Sequence, residues 1–234
     1  MTRSTRDLGS KAESGTENDS ASARKPRETL LGAAREIFSQ FGFEGASVSA
    51  ICKKAGMNAA QVNYHFQSKI ELYKTLIASI GEKEIERFLR VLQSPSSEAE
   101  VRLRLEIFAT EYLEWCARDS QSFRILVFEY MRGMPIAKDL FQEKFGSIRR
   151  AITEFLTSAR EKNLIRADSD PQIATAALLG GLQSIVTYRA FRNEPELFDL
   201  NTDDERSRLA SSLVETLVTG LKRMPAGALN ENEI

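Results

Sequence analysis

A single histidine, His65, stands in the 234 residues, and that scarcity removes several chemistries at once. A zinc-binding helix with two histidines cannot be built, and a Ser-His-Asp triad has one candidate member only. The two cysteines, Cys52 and Cys116, lie far apart in apolar settings and form no C-x-x-C pair. They read as buried free thiols in a reducing compartment. The chain lacks a G-x-x-x-x-G-K-[ST] loop and a G-x-G-x-x-G turn after a strand, and Gly180-Gly181 lies inside a helical pattern that suits packing. No run approaches the roughly 20 apolar residues that span a bilayer. The N-terminus has no apolar stretch like that of a signal peptide. Sustained apolar–polar alternation and Asn-Gly hairpin signals are also missing. These absences point to a cytoplasmic, all-α protein that is not an enzyme, holds no metal and needs no cofactor.

The net charge of −1 gives no overall push toward nucleic acid. The charge is unevenly placed, however. Residues 24–74 carry 8 Lys and Arg against 4 Asp and Glu, whereas everything after Lys74 carries 21 against 25. A small basic module ahead of an acidic body hints at a nucleic-acid contact at one end. Residues 1–25 are almost free of apolar side chains and read as a disordered tail. Arg3, Arg6, Arg24 and Lys25 would make it a phosphate-seeking arm, but its own acids nearly cancel them, which favours a bare tail.

Leu30, Leu31, Ala34, Ile37, Phe38 and Phe41 then recur at helical spacing, with Pro26 suited to the first turn and Gly42 to the stop. Ser47 is a candidate N-cap for a short helix with Val48, Ile51, Cys52 and Ala55 inward, ended by Gly56. Asn58 caps a third helix, with Gln61 placed as in a capping box. Ser68 and Glu71 repeat that box and open a fourth helix running to about Gln93. Capped helices are expected around 98–116, 120–131, 135–162, 171–193 and 202–223, about nine in all. Three short helices with the tight turn Lys53–Asn58 between the second and third describe a helix-turn-helix module.

On the third helix, Ala59, Val62 and Phe66 face inward by spacing. Ala60, Gln61 and Tyr64 face outward, flanked by Asn63 and His65. Small residues at the helix start let the backbone approach a major groove. Gln61 and Asn63 are able to pair with an adenine edge, and Tyr64 and His65 to donate to phosphate. Ser68 and Lys69 bring free N–H groups and a positive charge to the next helix start, where a phosphate would fit, and Ser47 would do the same. A lone surface histidine is often mere solvated decoration, and capping boxes are common. The combination on one short helix after a glycine turn is what carries weight.

The run Gly45 to Ile51 through Ala55-Gly56, then Val62-Asn63-Tyr64-His65-Phe66 and Ser68-Lys69, resembles the DNA-binding domain of the tetracycline-repressor (TetR) family over roughly residues 27–77. The resemblance implies a homodimeric one-component repressor of nine or ten helices. In such a protein the first three helices bind a palindromic double-stranded operator, and the remainder dimerises and binds a small-molecule effector. It places phosphate contacts at Ser47, Tyr64, His65, Ser68 and Lys69, and base contacts at Ala60, Gln61 and Asn63. Asn63 stands where many members have an aromatic residue and Ala60 where many have glycine, which leaves the operator sequence open. The implied domains are 26–77 for DNA binding and 78–224 for ligand binding and dimerisation, with a flexible tail at 225–234.

In the body, most aromatic positions are core, as a bundle of this size requires. Phe108, Tyr112, Trp115, Phe128 and Gln183 are candidates for a pocket between helices. Leu178, Gly181, Leu182 and Ile185 form one stripe, and Leu209, Leu213 and Leu217 another. They either pack within the chain or form a four-helix interface with a second copy, as the resemblance implies. The competing reading of the whole chain is an all-helical interaction adaptor with no DNA role.

Overall fold

The computed structural model describes residues 14–192 and 198–221, with side chains from 25 to 188 and from 198 to 221. Among these residues there are ten α-helices and no strand. The chain divides into two compact units, Met1–Leu76 and Ile77–Ile234.

In the first unit, α1 (Ser14–Gly45) packs on α2 (Val48–Ala55), which packs on α3 (Ala59–Phe66). Helix α1 begins well ahead of the apolar stripe, so residues 14–25 are helical rather than a disordered tail. This stretch has little to bury but contains only one glycine, and its Ala, Glu, Lys and Arg allow an established helix to extend. Pro26 consequently lies inside the helix. Residues 1–13 and 222–234 lie outside the described residues, and with them the rest of that tail and the tail expected at 225–234. Gly42 does break α1, at φ 65° and ψ −176°. Leu30, Ala34 and Phe38 are fully buried, whereas Phe41, expected inward, is 59% exposed because the stripe ends just before that break. Phe38 and Phe43 both pack on Tyr73, with centroids 4.8 and 5.1 Å away.

The turn between α2 and α3 is built from local hydrogen bonds. Ser47 Oγ accepts from Ala50 N–H at 3.0 Å. Gly56 adopts φ 67°, which lets its N–H reach Lys53 O and the N–H of Met57 reach Cys52 O. That pair of bonds is a Schellman motif, and glycine suits its left-handed residue. Asn58 Oδ1 then accepts from Gln61 N–H at 3.2 Å and starts α3. Gln67 ends α3 at φ 65°, and Ser68 Oγ accepts from Glu71 N–H to open α4 (Lys69–Ser79).

The fourth helix is not continuous to Gln93. It stops at Ser79, and α5 (Glu82–Val91) follows Gly81, whose φ of 70° no helix tolerates. A Cβ at position 81 would lie 2.9 Å from the Trp115 ring, so the missing side chain also makes room for the indole. This break raises the helix number from nine to ten. The rest of the second unit consists of α6 (Glu98–Arg118), α7 (Ser120–Met131), α8 (Lys138–Glu161), α9 (Pro171–Arg192) and α10 (Asp203–Leu221). Helix α6 packs against each of α5, α7, α8, α9 and α10. Its Phe108, Tyr112 and Trp115 form an aromatic cluster with Phe88 of α5. Helix α8 starts at Lys138 rather than Pro135. The buried Glu129 takes the place of a side-chain cap, its Oε1 accepting from Ile136 and Ala137 N–H at 2.9 Å each.

Candidate nucleic-acid interface and an apolar cleft

Val62 and Phe66 anchor α3 in the core of the first unit, at 1% and 4% exposure. Arg27 of α1 lies over the Phe66 ring, 5.1 Å from its centroid, which ties the two helices from the other side. With that face fixed, the remaining side chains point out. Tyr64 is 81% exposed, Asn63 and Ala60 are exposed, and His65 is half-buried. The Tyr64 and His65 rings meet edge to face at 4.9 Å, so each limits the other's rotamers. Lys69, at the start of α4, holds its ammonium 4.2 Å over the ring of Phe43. The hydroxyls of Ser47 and Ser68 accept backbone N–H groups as caps, and each keeps its own O–H to donate.

Two sequence expectations for α3 change. Ala59 is exposed rather than inward. Gln61 is half-buried, with Oε1 occluded and without a hydrogen-bond partner. The reciprocal arm of the capping box is therefore not made. Nor is the amide of Gln61 free, in this conformation, for a two-bond adenine contact, which needs both its oxygen and its nitrogen. Lys53, which sequence reasoning passed over, is exposed beside this turn, whereas its neighbour Lys54 pairs with Glu36 at 2.6 Å.

The second unit contains an open cleft of about 740 Å³ bounded by residues of α6, α7, α8 and α9. Tyr112, Trp115 and Gln183 line it. Phe108 does not, being fully buried in the core, and Phe128 is not part of the lining either. Most of the wall comes instead from α7 and α8, including Phe123, Tyr130, Phe141 and Phe145. Burial raises the Tyr112 hydroxyl well above its ordinary pKa, and Cys116 is raised by burial too; the two groups are hydrogen-bonded to each other. Glu111 titrates above the usual carboxylate range, chiefly because burial disfavours its charge. Among the described residues, no group of three or more His, Cys, Asp or Glu is placed to hold a metal ion, and no helix is long and apolar enough to cross a membrane.

Leu178 and Leu182 are fully buried within the chain, and Ile185 and Leu209 nearly so. These four pack in the core of their own unit and are unavailable to a second copy. The physical reason is that α9 and α10 turn their most apolar faces toward each other and toward α6. Gly181 and Leu213 pack together, a Cβ at 181 falling 2.7 Å from a Leu213 methyl. Leu213 and Leu217 are half-buried, and Ala177, Gly180 and Ser184 remain exposed.

Residues 30–76, which hold α2, α3 and the parts of α1 and α4 packed on them, match the family model of the bacterial regulatory proteins of the tetR family. Residues 30–76 thus form a domain of this family. The chain therefore carries the helix-turn-helix DNA-binding domain of these regulatory proteins. The HTH-type transcriptional regulator UidR of Escherichia coli K12 is 27% identical to it over 166 residues, or 70% of this chain and 81% of UidR. The transcriptional regulator FadR of Bacillus subtilis, solved in complex with stearoyl-CoA, shares the fold at a TM-score of 0.66 and 18% identity, over 83% of this chain and 98% of FadR. The ketosteroid transcriptional regulator KstR2 of Mycobacterium tuberculosis does so at 0.66 and 17%, over 85% and 95%.

Proposed function

We propose that the chain is a homodimeric repressor that leaves its operator when a small molecule enters the cleft of the second unit. The observation that carries the DNA-binding part is the outer face of α3. A helix of eight residues pinned by Val62 and Phe66 presents Tyr64 at 81% exposure beside Asn63 and Ala60. In this reading Asn63 reads a base edge through Ala60's opening, while Tyr64, His65, Ser68, Lys69 and Ser47 fix the helix on phosphates. Gln61 contributes contact rather than readout.

The dimer surface is proposed on the exposed faces of α9 and α10. Ala177, Gly180 and Ser184 would let a second copy approach closely, with Leu213 and Leu217 at the edge. This replaces the buried leucines of the original stripes. Two recognition helices must sit about one DNA turn apart, roughly 34–36 Å, to meet both half-sites. The division between the units falls inside α4, so that helix is the covalent route by which an occupied cleft would act on α3. The effector must bind the DNA-incompetent state better, since equal affinity shifts nothing. Support for an effector comes from the cleft itself and from FadR, which binds stearoyl-CoA on the same fold.

The test is assembly and DNA binding together. Ala177→Arg with Ser184→Arg charges an exposed face and leaves the core intact. The expected result is a dimeric wild type by sedimentation, a monomeric variant, and loss of operator binding with it. A monomeric wild type at micromolar concentration would overturn the dimer reading.

A further inference from the structure

The charges around the cleft are one-sided. Among the described residues no acidic side chain lines it, although the chain contains 33 Asp and Glu. Its charged groups are Arg149 and Arg150 on α8, and its neutral polar side chains include Gln142 and Gln183. Elsewhere in the second unit six arginines, Arg102, Arg104, Arg118, Arg166, Arg206 and Arg208, are paired with a carboxylate, and Arg160 donates to the Ser169 carbonyl. Arg149 and Arg150 have no acidic partner among the described residues. Arg150 is also given a place to lie: its guanidinium runs back along α8 over Gly146, where an added Cβ would come within 3.2 Å of a guanidinium nitrogen. The Tyr112 hydroxyl is engaged with the Cys116 thiol, so the tyrosine offers the cleft its ring rather than a free donor.

We propose that the cleft takes an amphipathic organic anion, with an apolar or aromatic body among Trp115, Phe123, Phe141 and Phe145 and its carboxylate, sulfate or phosphate on Arg149 and Arg150. The inference rests on the reading of the cleft as the effector site and names the ligand class. The volume of about 740 Å³ suits a single drug-sized or acyl-chain occupant. Guanidinium groups suit a carboxylate or phosphate because their N–H fork matches two of its oxygens. A cationic ligand would meet two like charges and, among the described residues, no counter-charge.

The probes are three molecules with one tail and different heads: dodecanoate, dodecanol and dodecyltrimethylammonium. Trp115 is the only tryptophan and lines the cleft, so its emission reports binding to the full chain. The expected order is dodecanoate tightest, dodecanol about tenfold or more weaker, and the cation weakest. In Arg149→Gln with Arg150→Gln, the advantage of dodecanoate over dodecanol disappears while dodecanol affinity stays unchanged, which also shows that the fold is intact. Equal affinities for the three heads, no binding by any of them, or an advantage that survives in the double variant would overturn the proposal. Failure of the wider reading looks different: dodecanoate would bind with the predicted preference yet leave a DNA complex intact at saturation.

Discussion

The ammonium of Lys69 lies 4.2 Å over the ring of Phe43, and Phe43 in turn packs on Tyr73. A cation held this way at the first residue of α4 keeps its charge while losing some of its freedom, which suits a residue that must meet a phosphate repeatedly in one place. Lys69→Met should weaken binding to specific and random duplex alike and lower the salt slope by about one. Phe43→Leu keeps the charge and should keep the slope. A loss confined to one sequence would move Lys69 from phosphate to base.

Asn63 and Gln61 carry the same functional group two residues apart, but only Asn63 is free. Asn63→Ala should flatten preference at one or two positions per half-site, worth about 1–3 kcal/mol of discrimination. Gln61→Ala should leave the preferences intact, because its carbonyl oxygen is already turned inward. Selection from a randomised duplex library measures both, and a profile altered by Gln61→Ala alone would reverse the assignment.

Gly81 combines a left-handed backbone with contact to the indole of Trp115. Gly81→Ala therefore costs about 1–3 kcal/mol in backbone strain alone, with overpacking against the ring adding to it. Thermal unfolding should show a lower midpoint, and Trp115 emission should shift in the folded variant. An unchanged midpoint would contradict this account of the α4–α5 break.

Glu100 accepts hydrogen bonds from the hydroxyl and N–H of Ser96, at 2.5 and 2.7 Å, and from Arg104 Nε at 2.7 Å. Together they pull its pKa from 4.5 down to about 2. A carboxylate with a depressed folded value contributes stability above its unfolded value and loses it as pH falls. The difference in stability between the native chain and Glu100→Gln should thus be present at pH 7 and shrink between about pH 4.5 and pH 2. Urea titrations across that range measure it, and a difference that does not vary with pH would contradict the hydrogen-bonded carboxylate.

How much of this was legible in the sequence follows how local each feature is. Ser47, Asn58, Ser97 and Thr202 all cap helices as read, because a cap involves a side chain and an N–H two or three residues on. The limits of α7 were legible for the same reason. Gly81 was not, since apolar spacing continues across it and the indole it makes room for, that of Trp115, lies more than thirty residues away in sequence. Periodicity marked Leu178, Leu182 and Leu209 as one-sided but is silent on whether the partner lies in the same chain. The cleft was half legible: Tyr112, Trp115 and Gln183 line it, while Phe108 lies in the core. Arg149 and Arg150 gave no local signal because their role depends on how α7, α8 and α9 come together.

The central claim is that α3 and the start of α4 dock on duplex DNA, and its most direct test is affinity for a duplex against salt concentration. Fragments recovered genome-wide with the protein supply the specific duplex, and a random one serves beside it. The account predicts that log affinity falls steeply and linearly with log salt for both, by about 0.9 for each phosphate neutralised. It also predicts that Tyr64→Phe weakens both by similar factors. Affinity that is absent for both duplexes, or that does not change with salt, would contradict it and leave the all-helical adaptor as the better description.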